Sequence, residues 1–178
     1  MIDEFLATIA NLFDAVSRRR TDTIQQIIED GSLASVSDNH MSILVASCVE
    51  NGLAEVLEHL SEAGCDLNVT NRRGQTLLQL AVLAEEYKTL KVLLDLGIDP
   101  NSRGEDGGTA LHALANTKIP LSKAHGNTLL GMAKLLLERG VKPHLRDKKG
   151  KTALEYALHN EYEQLVELLT REKKEVTR

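Results

Sequence analysis

Apolar residues recur along this chain in short blocks whose spacing favours pairs of amphipathic helices. In segment 71–103 the pattern predicts a first helix over Thr76–Ala84 and, after a short polar link, a second helix over Thr89–Leu96. The second helix places apolar residues at i, i+3 and i+4, the spacing of one helix face. Gly97 stands just past its end, where glycine adopts the left-handed conformation that closes many helices. The segment therefore predicts a helix–turn–helix unit of 33 residues.

This unit returns along the chain at a fixed step. A spacing of 33 residues separates the members of three series: Gly31, Gly64 and Gly97; Met41, Gly74 and Gly107; Ile43, Thr76 and Thr109. The next members follow after 43 residues, one period plus an insertion of ten: Gly140, Gly150 and Thr152. A fixed period of about 20–50 residues is typical of stacked repeat proteins, in which each unit packs only on its neighbours. The sequence therefore predicts a single elongated domain.

Short motifs within the units resemble those of the ankyrin repeat. Thr109–Ala115 reads TALHALA, which is similar to the family's T-P-L-H-x-A core, and Thr76–Ala81 and Thr152–Ala157 are weaker matches. The family's G-A-D-x-N exit is matched twice, by Gly64–Asn68 and Gly97–Asn101. None of these three units has the family's proline after the threonine. The resemblance covers roughly residues 5–170 and implies an all-α solenoid of helix–turn–helix units with short β-turn fingers.

Five units follow from the period: about 5–37, 38–70, 71–103, 104–146 with the ten-residue insertion, and 147–170. We number them units one to five. Units one and five are expected to be degenerate caps, because one side of each faces water. Residues 171–178 form a charged tail, expected to be a solvated extension. The insertion lies near 117–126, between the two helices of unit four, and Pro120 and Gly126 are expected to bracket it as non-helical.

Composition fits a narrow stack of helices and no membrane span. Aromatic residues make up 3% of the chain and tryptophan is absent, so small aliphatic side chains must fill the core. No apolar run approaches the roughly 18 residues that a membrane helix needs. The acidic N-terminus lacks the basic start of a secretory signal. We therefore expect a cytoplasmic protein, with export as an effector, by a signal not visible here, as the alternative.

The charge of the chain is divided between its two parts. Residues 1–70 carry 12 acidic and 3 basic side chains, a net charge of −9, whereas residues 71–178 carry 14 acidic and 18 basic ones, a net charge of +4. An elongated solenoid would then be acidic at its first units and basic at its last. This gradient is either ordinary surface scatter or a device that steers a partner of opposite gradient.

No residue pattern in the chain is typical of an active site. The six histidines lack metal-ligand spacing, and Gly104–Gly108 lacks the Lys-Ser/Thr of a phosphate loop. We therefore expect no enzymatic activity, cofactor, metal or small-molecule substrate. His112, at the histidine position of the resembled motif, is expected to bind turn backbone. Cys48 and Cys65 are expected to be reduced, with a disulfide or a reactive thiol as alternatives.

The resemblance implies that the turns project as fingers and that the first helices line a concave face. The implied finger turns are Asp38–His40, Asn71–Arg73, Gly104–Asp106 and Asp147–Lys149. The candidate binding residues on or beside these turns are Arg72, Arg73, Arg103, Glu105, Asp106, Arg146, Lys148 and Lys149. Together with Lys151, the basic members are expected to form a discontinuous basic strip. Further candidates are Gln75 and Leu83 on the concave side, and Ile119 and Leu121 in the insertion. The insertion either contacts a partner through these two residues or is a tolerated insertion in which they pack back onto the stack.

The expected function is non-catalytic protein binding by a monomer, acting as an adaptor or scaffold. An inhibitor or immunity protein that blocks a partner enzyme is one alternative, and an effector acting in a host cell is another. A basic strip favours a partner with an acidic surface, because arginine pairs bidentately with carboxylates; basic turns that serve solubility alone are the alternative. Nucleic acid is not expected, because the chain is acidic overall and lacks interleaved aromatics. Leu83 either anchors a partner or packs on Asn116 or the insertion.

Overall fold

The computed structural model describes residues 2–117 and 123–175. Within these ranges ten α-helices and one short 3₁₀ helix follow one another along the chain. The α-helices are α1 Ile2–Ser17, α2 Thr21–Glu29, α3 Asp38–Glu50, α4 Ala54–Glu62, α5 Leu77–Leu83, α6 Tyr87–Asp95, α7 Ala110–Asn116, α8 Lys123–Glu138, α9 Ala153–His159 and α10 Glu163–Glu175. The 3₁₀ helix, Ser32–Ser35, follows α2.

The helices form two parallel rows, which make the all-α solenoid that the period predicts. Each odd-numbered helix packs on the next even-numbered one, so α5 and α6 form one pair and α9 and α10 another. Odd-numbered helices also pack on one another from α1 to α9, and even-numbered helices do so from α2 to α10. Each predicted unit thus contributes one helix to each row, and the core runs along the stack between the rows.

A threonine starts the first helix in each of units three, four and five. Thr76 has extended backbone, and its Oγ1 accepts a 3.3 Å hydrogen bond from the Gln79 amide. In return the Gln79 side-chain Oε1 accepts a 2.9 Å bond from the Thr76 amide. Such a capping box satisfies amides that the first turn of a helix leaves without partners. It lets these seven-residue helices begin sharply without the proline that the family usually has.

The link between the two helices of a unit contains a residue in the left-handed conformation. This residue is Arg19, Gly52, Glu85 and Glu161 in units one, two, three and five, with φ between 53° and 68°. Only unit two places glycine there, although a left-handed conformation costs other residues about 1–2 kcal/mol. The repeat geometry therefore imposes local strain on three of these four links.

Residues at the repeat position of Val82 show how the core continues from one unit to the next. Val16, Val49 and Ala115 hold the same position in units one, two and four, and all four side chains are at most 1% exposed. Each is covered by the unit that follows. In unit five the position belongs to Leu158, which is 56% exposed. Unit five thus exposes an apolar side chain at a position that is buried in units one to four.

Two expectations about local structure are wrong. Asp38–His40 does not form a finger turn, because these residues lie in the first turn of α3. Met41 stands where the other units have a left-handed glycine, and a side chain at that position disfavours the turn. Gly126 lies inside α8 rather than at a non-helical boundary. An interior glycine costs a helix only about 1 kcal/mol, and buried side chains such as Met132 anchor this one.

The insertion and the tail mainly lengthen helices. Leu130 is the repeat equivalent of Tyr87, where α6 begins, whereas α8 begins seven residues earlier at Lys123. The ten-residue insertion thus extends the second helix of unit four at its N-terminus. The charged tail likewise continues α10 as far as Glu175 instead of leaving it as an extension. Ile119, Pro120 and Leu121 lie outside the described residues, as do residues 176–178.

Candidate functional site

Three β-turns of the same construction project from units three, four and five. The turns are Asn71–Gly74, Gly104–Gly107 and Asp147–Gly150, and we call them the first, second and third finger. In each, the amide of the final glycine donates to the carbonyl of the first residue, at 2.9 to 3.0 Å. These glycines have φ of 67°, 75° and 74°, the left-handed region that other residues adopt only at a cost. The two corner residues of each finger are exposed.

Side chains inside the fingers fix their shape. In the first finger Asn71 Oδ1 accepts the amides of Arg73 and Gln75, at 2.9 and 3.0 Å. In the third finger Asp147 Oδ1 accepts the amides of Lys149 and Lys151, both at 2.9 Å. These bonds use amides that an exposed turn would otherwise leave to water. The corner residues therefore stand on ordered backbone.

The second finger is braced differently, because its first residue is glycine and has no side chain to accept bonds. Asp106 Oδ1 accepts the Gly108 amide at 2.9 Å instead. Arg103 Nη1 donates to the Gly107 carbonyl at 3.0 Å and to the Arg146 carbonyl at 2.8 Å. The guanidinium of Arg103 thus joins the second finger to the residue that immediately precedes the third finger.

Backbone hydrogen bonds join the fingers into a row, which we call the finger row. The Glu105 amide donates to the Gly74 carbonyl at 2.7 Å, and the Lys148 amide donates to the Asp106 carbonyl at 3.0 Å. The first two fingers also meet closely, since a Cβ added at Gly74 would lie 2.3 Å from Glu105 Cβ. Glycine is therefore required at Gly74 both for its backbone conformation and for the approach of the neighbouring finger.

The charge of the corner residues alternates along the finger row. The corners are Arg72 and Arg73 in the first finger, Glu105 and Asp106 in the second, and Lys148 and Lys149 in the third. The predicted basic strip is therefore divided by an acidic finger. Among the described residues, no ion pair or side-chain hydrogen bond involves Arg72, Arg73, Glu105, Lys148 or Lys149. The row thus presents charges of both signs to solvent without neutralising them internally.

Arg146, like Arg103, has a partner within the protein. Its Nη1 lies 3.3 Å from Glu155 Oε2, and the same nitrogen donates to the Gly150 carbonyl. Both arginines are exposed, but their guanidinium groups are already engaged at the bases of the fingers. Of the sequence-predicted basic residues, the corner residues are therefore the ones whose charges face only solvent.

A histidine lies beneath the second and third fingers and binds turn backbone, as predicted. His112 Nδ1 accepts the Thr109 amide at 3.1 Å, so the ring hydrogen is on Nε2. Nε2 donates to the carbonyls of Leu145 and Lys151, at 3.0 and 3.2 Å. Burial lowers the pKa of His112 below its usual 6.5, despite the two carbonyls and the nearby Asp147 carboxylate, which favour the charged form. His112 is therefore a neutral bridge between units four and five.

The third finger has a second support in Tyr156, which the sequence did not single out. The Tyr156 hydroxyl donates to Asp147 Oδ2 at 2.6 Å, and this bond raises the pKa of Tyr156 to about 12. Burial acts to raise the pKa of Asp147, but the bonds from Tyr156 and from the Lys149 and Lys151 amides hold it below its usual value. Asp147 is thus a structural carboxylate and contributes no free charge to the finger row.

One exposed leucine interrupts a polar line on the concave side. Glu50, Leu83, Asn116 and His159 hold the same repeat position near the C-terminal ends of the first helices, and all are exposed. Leu83 is 40% exposed, so no other described element covers it fully. Gln75 is half-buried and its Oε1 accepts a 3.0 Å bond from Asn71, which ties it to the first finger.

Two further exposed apolar residues escaped the sequence reasoning. Tyr87 is 43% exposed at the start of α6, and its ring lies beside Gly131 of the lengthened α8. Leu158, in α9, is 56% exposed. Alignment of Leu158 with Val82 places it at a repeat position that is buried in units one to four.

Neither the disulfide nor the reactive thiol that the sequence left open for Cys48 and Cys65 is found. Cys48 and Cys65 are free thiols, so the disulfide alternative is wrong. Cys48 is buried, and burial raises the pKa of its thiol to about 12. Burial likewise raises the pKa of Cys65, whose Sγ lies 3.8 Å from Met41 Sδ. Both thiols are therefore protonated and unreactive at neutral pH.

The described part of the chain holds neither a group of metal ligands nor a membrane-spanning helix. Its histidine, cysteine and acidic side chains form no group of three or more that could hold a metal ion. None of the helices described there is long and apolar enough to cross a membrane.

Comparison with known proteins assigns the repeats. The family model for three copies of the ankyrin repeat matches residues 12–104 and 44–124, and the model for a single ankyrin repeat matches residues 106–148. The chain is 36% identical over 85 residues to Protein PhlB of Serratia liquefaciens, which covers 48% of this chain and 37% of that protein.

Two other relatives align over longer stretches. A protein of Rickettsia bellii named for its ankyrin repeats is 34% identical over 114 residues, 64% of this chain and 31% of that protein. The nuclear factor NF-kappa-B p105 subunit of Gallus gallus is 30% identical over 114 residues, 61% of this chain and 12% of that protein. The chain thus spans less than two fifths of the length of each of these three relatives.

Proposed function

The chain belongs to the ankyrin-repeat family, and we propose that it binds a protein partner through the finger row and the concave face, as a non-catalytic adaptor. Ankyrin repeats indicate a protein–protein interaction module, which is the premise of the proposal. The single observation that supports it most is the finger row itself. Apart from Asp106, the charged corner residues stand there on ordered turns with no ion pair or side-chain hydrogen bond to the described residues, so they are available to a second protein.

The turns are already held in one conformation, which favours binding because little conformational entropy is lost when a partner docks. The corner residues of a flexible loop would have to be immobilised, at a cost that reduces affinity. Here each finger is closed by its own backbone bond, and neighbouring fingers are joined by bonds of 2.7 and 3.0 Å. Only the ends of the charged side chains remain to be ordered.

The concave side adds an apolar contact next to these charges. Leu83 is 40% exposed among polar residues at its repeat position. A small apolar anchor within a polar surround is a common arrangement in protein interfaces, whose cores are apolar and whose rims are polar. We assign Leu83 the role of such an anchor, with the corner residues of the fingers as part of the rim.

An adaptor needs a second surface, and the exposed Leu158 offers one. Leu158 lies 56% exposed in α9, at a repeat position that is buried in the other units. It sits near the C-terminal end of that helix, whereas the third finger precedes the helix. A partner on the finger row would therefore leave this apolar side chain free. An inhibitor that occupies one active site has no need of two such surfaces.

Affinity capture with a charge-reversal variant tests the proposal. The bait is the whole chain, and the variant is Arg72→Glu with Arg73→Glu. The control is Lys134→Glu with Lys142→Glu, which changes the net charge equally at exposed positions outside the fingers. We expect the finger variant to lose at least one stoichiometric partner that the wild type and the control retain.

The pattern of captured proteins separates the adaptor from its alternatives. Two partners, of which the finger variant loses one, support the adaptor. A single stoichiometric enzyme whose activity falls on binding supports an inhibitor instead. If the finger variant captures the same proteins as the wild type, binding through the finger row is refuted.

A further inference from the structure

The alternation of charge along the finger row specifies the partner more closely than net charge does. We infer that the finger row binds an extended protein segment whose charges follow the order acidic, basic, acidic. The acidic groups would meet the corners of the first and third fingers, and the basic group would meet the second finger. This inference rests on the proposed function, because it concerns the same surface.

Glu105 determines which sign of charge a partner must present at the second finger. It is exposed and flanked by two basic fingers, yet it forms no ion pair within 4.0 Å with any residue that the structure describes. A uniformly acidic segment laid along the row would bring a like charge against it, which opposes binding. A basic group at that point turns the same contact into an attraction. The second finger therefore discriminates against the all-acidic partner that the basic residues alone suggest.

Corner residues of the fingers hold fixed relative positions, so the order of charges can be read by a partner. The first corner of the second finger, Glu105, is bonded through its amide to the first finger. The first corner of the third finger, Lys148, is bonded in the same way to the second. The three pairs of charges thus stand in register along one line, and an extended segment can meet them in sequence.

The spacing of the fingers sets the spacing of charges in the segment. Adjacent helices pack about 8–10 Å apart, so neighbouring fingers repeat at about that distance. A segment in the extended polyproline II conformation advances about 3.1 Å per residue and completes a turn in about three residues, so every third side chain faces the same side. One finger step therefore corresponds to about three residues of the partner. The predicted segment is Glu or Asp, two residues, Lys or Arg, two residues, and again Glu or Asp.

Nucleic acid does not fit this arrangement. A phosphate backbone carries one sign of charge at every step. It would gain contacts at the first and third fingers but meet Glu105 and Asp106 at the second. Only a protein segment can change sign between consecutive fingers.

A titration with synthetic peptides tests the inference. The ¹⁵N-labelled full chain is titrated, at low ionic strength to limit screening, with four capped peptides. One has the order E-x-x-K-x-x-E, two are isomers, K-x-x-E-x-x-E and E-x-x-E-x-x-K, and one is E-x-x-E-x-x-E; threonine fills the positions marked x. We expect the first peptide to bind at least about threefold more tightly than the others, the difference expected from one or two exposed ion pairs. The amide shifts should map to the three fingers.

A Glu105→Lys variant reverses the charge at the first corner of the second finger and should change the preference among the peptides. It keeps the backbone bond of residue 105 to Gly74 and puts a basic side chain at the first corner of the second finger, beside Asp106, which is bonded to the Gly108 amide. The all-acidic peptide should then gain affinity relative to the alternating one. Lys134→Glu, outside the row, should leave the wild-type preference unchanged. Melting curves establish that both variants fold.

Several outcomes overturn the inference. These are an all-acidic peptide that binds the wild type as tightly as the alternating one, equal binding by the isomers, or no binding at millimolar peptide. The proposed function can survive each of these if the Arg72→Glu, Arg73→Glu variant still loses a captured partner. If capture is unaffected by that variant, the proposed function itself fails.

Discussion

Gln79 and His112, which lie 33 residues apart, make equivalent two-sided hydrogen bonds in consecutive repeats. Gln79 accepts the Thr76 amide at 2.9 Å and donates to the Gly108 carbonyl of the next unit at 3.1 Å. His112 accepts the Thr109 amide at 3.1 Å and donates to the Lys151 carbonyl of the next unit at 3.2 Å. Both residues thus cap their own helix and bind the following unit. Only the His112 side chain can take up a proton in the physiological pH range.

Replacing His112 by glutamine should therefore keep the bridge and remove a pH dependence. Burial lowers the pKa of His112 below 6.5 in the folded protein, so the unfolded chain protonates first as pH falls. The contribution of the neutral ring is complete above about pH 6.5 and is lost progressively below it. Asp147 opposes this shift and Arg103 adds to it. The stability of the wild type should thus fall between pH 8 and pH 5 by more than that of His112→Gln.

Urea unfolding at pH 8 and pH 5 measures this difference. The variant should be slightly less stable at pH 8, because the edge contact between the His112 and Tyr156 rings, 6.4 Å apart at 77°, is worth about 0.5–1.5 kcal/mol. Its transition midpoint should change less on acidification. An equal loss in both proteins would assign the acid sensitivity to other groups.

Substitution of Thr89 by valine should stabilise the folded protein. Its side chain is fully buried, and its Oγ1 finds no hydrogen-bond partner among the described residues. An unsatisfied buried hydroxyl costs about 1–3 kcal/mol, whereas valine has the same shape without the polar atom. Unit two already places Val56 at this position, where it is 1% exposed. We expect Thr89→Val to raise the free energy of unfolding by about 1 kcal/mol.

The control for Thr89→Val is Thr23→Val, at a half-buried position in the second helix of unit one. It makes the same chemical change where solvent can reach the side chain, so no comparable gain is expected. Thermal melts of both variants decide the matter. A Thr89→Val protein that melts at or below the wild-type temperature would mean that the hydroxyl is satisfied in solution.

The strained links predict a second stabilising change. Glu161 has φ of 57° and is exposed, and its repeat equivalent in unit two is Gly52. Relief of the left-handed conformation should gain about 1–2 kcal/mol, against about 0.5–1 kcal/mol for the added freedom of glycine in the unfolded chain. Glu161→Gly should thus stabilise by roughly 0.5–1 kcal/mol. Glu163→Gly, at the first residue of α10, should destabilise because it removes an acidic side chain from the helix N-terminus. Denaturant midpoints of the two variants should therefore move in opposite directions.

The parts of this fold that could be predicted are those that the repeat imposes on every unit. Gly97 marks the end of a second helix because the same left-handed closure recurs at Gly64 and Gly140. The all-α stack follows from that recurrence, and so does the role of His112. The alternation of charge also follows from the sequence, because Glu105 and Asp106 stand one period after Arg72 and Arg73.

The failures arose where one unit departs from the others. The start of α3 at Asp38 depends on the missing glycine at Met41, which changes a turn into a helix. The early start of α8 depends on tertiary packing that outweighs the glycine at Gly126. The engagement of Arg103 with the carbonyl of Arg146, 43 residues away, depends on the stacked geometry and has no local signal. Which groups an exposed side chain contacts depends on its neighbours in the folded stack. The spacing of residues along the sequence does not predict those neighbours.

The two reasons for glycine at Gly74 can be separated by comparison with Gly97. Both residues are left-handed, with φ of 67° and 86°. A Cβ at Gly97 would meet nothing within 4 Å, whereas one at Gly74 would lie 2.3 Å from Glu105 Cβ. Gly97→Ala should therefore cost about 1–2 kcal/mol, for backbone conformation alone. Gly74→Ala should cost more, because the second finger must also move away from the first.

Combining each change with Glu105→Gly shows whether the finger contact is the cause. Removal of the Glu105 side chain eliminates the Cβ that a methyl group at Gly74 would strike. The excess cost of Gly74→Ala over Gly97→Ala should then disappear, whereas the cost of Gly97→Ala should be unchanged because distant sites are additive. Four-point urea cycles provide these free energies. An excess that persists without the Glu105 side chain would show that the two fingers are not in contact in solution, and the register of the finger row would have to be abandoned.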